Sequence, residues 1–178
     1  MRISVAGLML SIALAFVVTP GAEARDRIND SPHLRAATQA EATFVADAQS
    51  KSQTVRDLAR TLDQGNVITY IHLARTQPGQ PTSMLRFAGR SKFQRFVVLT
   101  IGSNLPYDRQ IALLAHELQH VAELTRVPWV SSQADFRSLL ALIGWRDAEQ
   151  ASGYETSAAL AAQRHATREL ATVGSIKP

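Results

Sequence analysis

The feature that most constrains this fold is a helical apolar run that also carries two histidines. From Tyr107 to about Thr125, apolar residues recur at helical spacing, at Ile111, Leu114, Leu118, Val121 and Leu124. Inside this run, residues 116–120 read His-Glu-Leu-Gln-His. Side chains four residues apart lie on one face of an α-helix, so His116 and His120 can reach a single metal ion, with Glu117 beside its open side. The run therefore predicts a buried helix that binds a metal.

The first residues of the chain predict export. Met1 and Arg2 precede an apolar run over residues 3–18, and small residues follow as far as Ala24. This pattern indicates a signal peptide over residues 1–24, with cleavage after Ala24. An uncleaved membrane anchor is the alternative, but the run is short for a membrane span. We therefore expect a periplasmic or secreted protein with no stable membrane insertion after cleavage.

Composition narrows the chemistry that is available. The chain has no cysteine, which excludes disulfides, thiolate metal ligands and cysteine nucleophiles. Its 19 basic and 15 acidic residues give a mild net charge of +4. Because the chain is expected to be exported, we expect no nucleic-acid partner. Anionic envelope polymers and acidic substrates are compatible with the charge. Any metal must bind to histidine and carboxylate side chains.

The first half of the chain predicts helices followed by strands. Residues 25–50 should form a loosely held arm and then a helix, and residues 51–178 a single domain. A second helix should begin at Ser50 or Ser52 and end at Gly65 in a left-handed turn. Alternating apolar residues predict a strand over residues 66–74 and a β-hairpin whose strands cover residues 83–88 and 93–101.

The second half predicts three helices. The histidine helix comes first, over about residues 107–125. The next should begin at Ser132 or Asp135, run to Ile143 and end at Gly144. A final alanine-rich helix should begin at Tyr154 or Glu155. The order of elements predicts an α+β fold.

At this point the chain resembles the zincin metallopeptidases. Three segments carry the resemblance: Val-Val-Leu-Thr-Ile at 97–101, Ala-His-Glu-Leu-Gln-His at 115–120 and Gly-Tyr-Glu-Thr-Ser-Ala at 153–158. The resemblance covers about residues 66–171. It implies a small antiparallel or mixed sheet packed on an HExxH active-site helix, with further helices. It also implies that His116 and His120 bind Zn²⁺ and that Glu117 is the general base.

The third zinc ligand separates two branches of this family. Metzincins need a glycine where this chain has Glu123 and a histidine where it has Arg126. The chain is instead similar to gluzincins, which take a glutamate from a later helix, and to small exported bacterial proteins with HELQH and a glutamate three residues on. Glu155 fits the later position. An acidic residue often found four positions after that ligand is replaced here by Ala159.

Glu123 is the alternative third ligand. It lies on the same helix face as both histidines, but about 10 Å along the axis from His116. Glu123 is therefore expected either to be the third ligand or to line the cleft wall and hydrogen-bond to a ligand. Glu149 and Glu169 are weaker candidates.

These residues predict an exported zinc-dependent hydrolase, most simply a peptidase acting on a peptide or protein substrate. Tyr154 is the preferred candidate for a catalytic hydrogen-bond donor to the developing oxyanion, with Tyr107 and His165 as alternatives. The resemblance implies that the strand ending at Ile101 pairs with an extended substrate. A second hypothesis is a catalytically silent, metal-stabilised periplasmic binding module, and a third is a polyanion-binding surface protein.

Overall fold

The computed structural model describes residues 31–146 and 153–174, so the predicted signal peptide and Glu149 lie outside the described residues. The fold is mixed α+β, as predicted. Its elements are β1 (Leu34–Ala36), α1 (Gln39–Lys51), α2 (Gln53–Asp63), β2 (Val67–Ala74), β3 (Ser83–Arg90), β4 (Arg95–Gly102), α3 (Tyr107–Thr125), α4 (Gln133–Ile143), β5 (Trp145–Arg146), β6 (Tyr154–Glu155) and α5 (Ser157–Gly174). Among the helices so described, none has the length and apolarity to cross a membrane.

A four-stranded mixed sheet has the order β1-β2-β4-β3, in which only β3 is antiparallel to its neighbour. The predicted strand at residues 66–74 and the predicted hairpin are both confirmed. However, β4 pairs with β2 on one side and β3 on the other. The prediction that the strand ending at Ile101 pairs with substrate is therefore wrong, since the open edge on this side of the sheet belongs to β3.

Helix α3 has the predicted bounds and is buried around almost its whole circumference. It packs against α2, α5 and one face of the sheet. A helix enclosed in this way needs apolar residues on several faces, which the sequence supplies. The buried polar side chains on α3 are therefore held in a fixed, water-poor surrounding.

The segment before α2 belongs to the same core as the rest of the chain. Leu34 in β1 and Phe44 and Val45 in α1 are fully or almost fully buried in the main hydrophobic cluster. Thr38 caps α1 through a reciprocal pair of hydrogen bonds with Glu41. The predicted helix in this segment is confirmed as α1, but the prediction of a loosely held arm before it is wrong at residues 34–36, which form β1. Packing continues without a break across residue 50.

The predicted role of Gly65 is also wrong. Ser52 caps α2 as predicted, but the helix ends at Asp63 with Gln64 as its C-cap, and Gly65 does not have a positive φ. A Cβ at Gly65 would lie 2.9 Å from Thr125 Cγ2. A larger residue there would force the Thr125 side chain to shift, because the turn after α2 passes close to the end of α3.

The end of the chain differs most from the prediction. Gly144 ends α4 in an extended conformation, and Trp145–Arg146 pairs antiparallel with Tyr154–Glu155. Glu155 is therefore on a short strand, and α5 begins two residues later. A Cβ on Gly144 would overlap the backbone carbonyl oxygen of Glu155, so the two segments can approach only because residue 144 is glycine.

Candidate metal centre

The two histidines of α3 are buried side by side. His116 is 6% exposed and His120 is 4% exposed, and their ring centroids lie 4.9 Å apart with the planes at 78°. The four-residue spacing places both rings on the same helix face, as the sequence predicts. Two buried imidazoles thus face the same cleft.

Glu155 reaches these histidines from β6. Its Oε2 atom lies 3.4 Å from His116 Nε2, and candidate ligand atoms of His116, His120 and Glu155 all lie within 4.8 Å of one another. The predicted third residue is therefore present, although a strand and not a helix carries it. Antiparallel pairing of β6 with β5 holds Glu155 in this position.

The three residues fit a zinc ion. Glu155 Oε2 is buried and has no hydrogen-bond partner among the described residues, which is unfavourable for a carboxylate unless a cation faces it. Ligand atoms on a tetrahedral zinc ion lie about 3.4 Å apart, given metal–ligand distances of about 2.1 Å. The His116–Glu155 pair already has this spacing. Two imidazoles and one carboxylate are also a donor set that zinc accepts.

Nearby carboxylates raise the pKa of His116. Burial by itself lowers the pKa of His116, but the Glu155 carboxylate and the charge of Glu117 outweigh burial, and the pKa is raised. The metal-free site therefore favours a cation between these carboxylates.

Glu123 contacts His120 on the opposite side of its ring. His120 Nδ1 lies 3.0 Å from Glu123 Oε2, which leaves Nε2 as the atom that can face a metal. Burial raises the pKa of Glu123, but hydrogen bonds from His120 and Thr156 outweigh burial and hold the pKa below its ordinary value. Of its two predicted roles, this geometry matches the hydrogen-bond partner.

Thr156 joins Glu123 to the segment that carries Glu155. Its hydroxyl donates to Glu123 Oε1 at 2.7 Å and accepts from the backbone N–H of Ala159 at 3.1 Å, as the N-cap of α5. Sequence reasoning missed this residue. A threonine directly before an alanine-rich helix is an N-cap signal that could have identified the helix start.

Glu117 lines the same cleft and is held by a residue that the sequence analysis also missed. The hydroxyl of Ser83, at the start of β3, donates to Glu117 Oε1 at 2.7 Å. This bond fixes the carboxylate relative to the edge strand. No local pattern predicts it, because the partners are 34 residues apart.

The cleft has a volume of about 580 Å³ and is lined by β3, α3, α4, α5 and the β5–β6 pair. Tyr154 lines it, and no described residue hydrogen-bonds to its hydroxyl. The alternatives are placed elsewhere: Tyr107 packs against Phe44, and His165 is on the outer surface of α5 beside Arg168. Glu169 hydrogen-bonds to Ser52 and Thr54 and is not part of the site.

A scan against protein-family models, a search of curated proteins and a search of solved structures found no match to this chain.

Proposed function

We propose that this chain is an exported zinc-dependent peptide hydrolase of the zincin type, with the gluzincin set of ligands. One observation carries the proposal. Ligand atoms of His116, His120 and Glu155 lie within 4.8 Å of one another, in a cleft that Glu117 also lines. Three metal ligands beside a carboxylate that is not itself a ligand favour hydrolysis over a closed structural site.

The edge of the sheet supports a peptide substrate. Its only antiparallel strand, β3, lies at the edge and contributes residues 83–86 to the wall of the cleft. Pairing of Thr82 with Gly102 directs the backbone groups of Ser83 and Leu85 away from β4. An extended peptide can therefore pair with this short stretch of edge and pass beside Glu117.

Each side chain has a distinct role in the proposed reaction. His116, His120 and Glu155 would hold the metal. When bound, zinc supplies Lewis acidity, which activates water near neutral pH and polarises a peptide carbonyl. Glu117 accepts a proton from that water and donates it to the leaving amine.

Two further residues act around these groups. Ser83 orients the Glu117 carboxylate through the hydrogen bond that it donates. Tyr154 donates its hydroxyl to the developing oxyanion of the substrate.

Metal content and hydrolysis together test this function. The mature protein should contain about one zinc ion per chain by elemental analysis, and His116→Ala or His120→Ala should remove it. His165→Ala is a matched control, because that histidine is outside the cleft. Glu117→Gln should retain zinc while cleavage of a mixed peptide library falls about 100- to 10,000-fold.

Other results would reject parts of the proposal. Full zinc content in the His116→Ala and His120→Ala variants would reject the site itself. Bound zinc with no cleavage of any peptide would instead support the silent binding module.

A further inference from the structure

The walls of the cleft carry three arginines from three different elements: Arg86 in β3, Arg109 in α3 and Arg137 in α4. All three are exposed. None forms an ion pair with an acidic residue in the described part of the chain. Their guanidinium groups are therefore available to a ligand.

Among the described residues, two acidic side chains line the cleft, Glu117 and Glu155, against three arginines. Glu117 accepts a hydrogen bond from Ser83, and Glu155 faces His116. A bound zinc ion would add two further positive charges. The cleft is therefore electropositive, and it will concentrate negatively charged ligands.

Arg109 lies at a distance from His116 that an extended peptide can span. Arg109 precedes His116 by seven residues, so it lies on the same face of α3, about 10 Å along the axis. An extended peptide covers this distance in about three residues. On the other wall, α4 is attached to the edge strand, because Gln133 accepts a hydrogen bond from the Phe87 backbone N–H at 2.7 Å.

We propose that the cleft binds acidic peptides, with aspartate or glutamate about three residues from the bond that is cleaved. This inference rests on the proposed function for the position of that bond. Arginine binds carboxylates through paired hydrogen bonds, which gives both affinity and register. Ser83 and Leu85 of the edge strand hold the backbone, and the arginines select the side chains.

Equilibrium binding tests the proposal without depending on turnover. The probe is a fluorescent peptide with glutamates three residues on each side of a central apolar pair, and its twins carry glutamine or lysine at those positions. Anisotropy would be measured with zinc-supplemented mature Glu117→Gln protein. We expect the glutamate peptide to bind about 5- to 20-fold more tightly than the glutamine twin, with the difference shrinking at high salt.

Variants assign this preference to the arginines. Arg109→Gln and Arg137→Gln should each weaken binding of the glutamate peptide about 2- to 5-fold and leave the glutamine twin unaffected. Arg90→Gln is the matched control, because Arg90 is exposed at the end of the same edge strand but does not line the cleft. It should change neither affinity.

The proposal is overturned if no peptide binds, if the three peptides bind equally, or if the cleft variants behave like Arg90→Gln. Tight binding of polyphosphate with no preference among the peptides would also overturn it, in favour of a polyanion-binding surface. Wild-type cleavage of all three peptides at equal rates would overturn it while leaving the proposed hydrolase intact. Arginine-dependent binding without any cleavage would support it and reject the hydrolase.

Discussion

Glu123 and Glu155 are two buried or half-buried carboxylates beside the histidines of α3: Glu123 contacts His120, and Glu155 contacts His116. Glu155 Oε2 has no hydrogen-bond partner among the described residues, whereas both oxygens of Glu123 are engaged by His120 and Thr156. A carboxylate with a buried oxygen that accepts no hydrogen bond is the one suited to a metal. The fully paired one is suited to fixing the ring of His120.

This division predicts different effects of the two alanine substitutions. Glu155→Ala removes a ligand and should lower zinc affinity by more than about 100-fold, whereas Glu123→Ala should lower it about 10- to 100-fold. Thr156→Val removes both the hydrogen bond to Glu123 and the N-cap of α5 and should cost about 10-fold or less, whereas Thr156→Ser, which keeps the hydroxyl, should retain the affinity. Competition against a chelator measures all four. If Glu123→Ala strips the metal and Glu155→Ala does not, the assignment is wrong.

At the scale of single residues, the sequence predicts the roles of those whose partners are close along the chain. His116, Glu117 and His120 are defined by helix periodicity alone. Ser83 and Thr156 act on residues that precede or follow them by more than thirty positions. Glu155 could be proposed only through a family resemblance, because its approach to His116 depends on pairing with β5.

At the scale of elements, long periodic segments were predictable and short ones were not. The strands β2 and β4 and the helix α3 have enough residues to show their period. In contrast, β1 has three residues and β5 and β6 have two each, so these strands exist only through pairing with distant segments. The final helix was consequently predicted to begin too early.

The contact between α5 and the start of α2 also depends on distant residues. Glu169 accepts hydrogen bonds from the hydroxyls of Ser52 and Thr54 and from the Thr54 backbone. Burial raises the pKa of Glu169, but these bonds and the nearby Arg56 outweigh it, and the pKa is lowered. The ionised carboxylate therefore holds the amino end of α2 on α5.

This contact predicts a pH-dependent difference between wild type and Glu169→Gln. A lowered pKa in the folded state stabilises the protein above the unfolded pKa of about 4.3, and this stability is lost as pH falls through the folded value. Glu169→Gln should therefore cost about 1–3 kcal/mol near pH 7 and much less near pH 3. Urea denaturation at both pH values measures this, and a cost that does not shrink in acid would contradict it.

Over the whole molecule, one core joins α1 to α5 without any disulfide. The candidate ligands come from α3 and β6, which are separated in sequence by the whole of α4. A metal bound there would tie these two parts of the chain together, in addition to the hydrogen bond from Thr156 to Glu123. Metal binding and folding should therefore be coupled.

This coupling predicts that chelation lowers the melting temperature. With free zinc at 100 times its dissociation constant, binding adds about 2.7 kcal/mol, which corresponds to about 5–11 °C. Calorimetry with and without chelator would measure the shift. His120→Ala is the control and should show none. An equal response of this variant would assign the effect to zinc bound elsewhere.

Gly144 illustrates how far the requirements of the site extend from its chemistry. It has no side chain and binds nothing, yet a single added carbon would collide with the Glu155 backbone. In a mutational scan this position should tolerate as few replacements as the histidines themselves. Genetic intolerance at a residue is thus no guide to whether it touches a metal, because a residue can be indispensable for the space that it leaves empty.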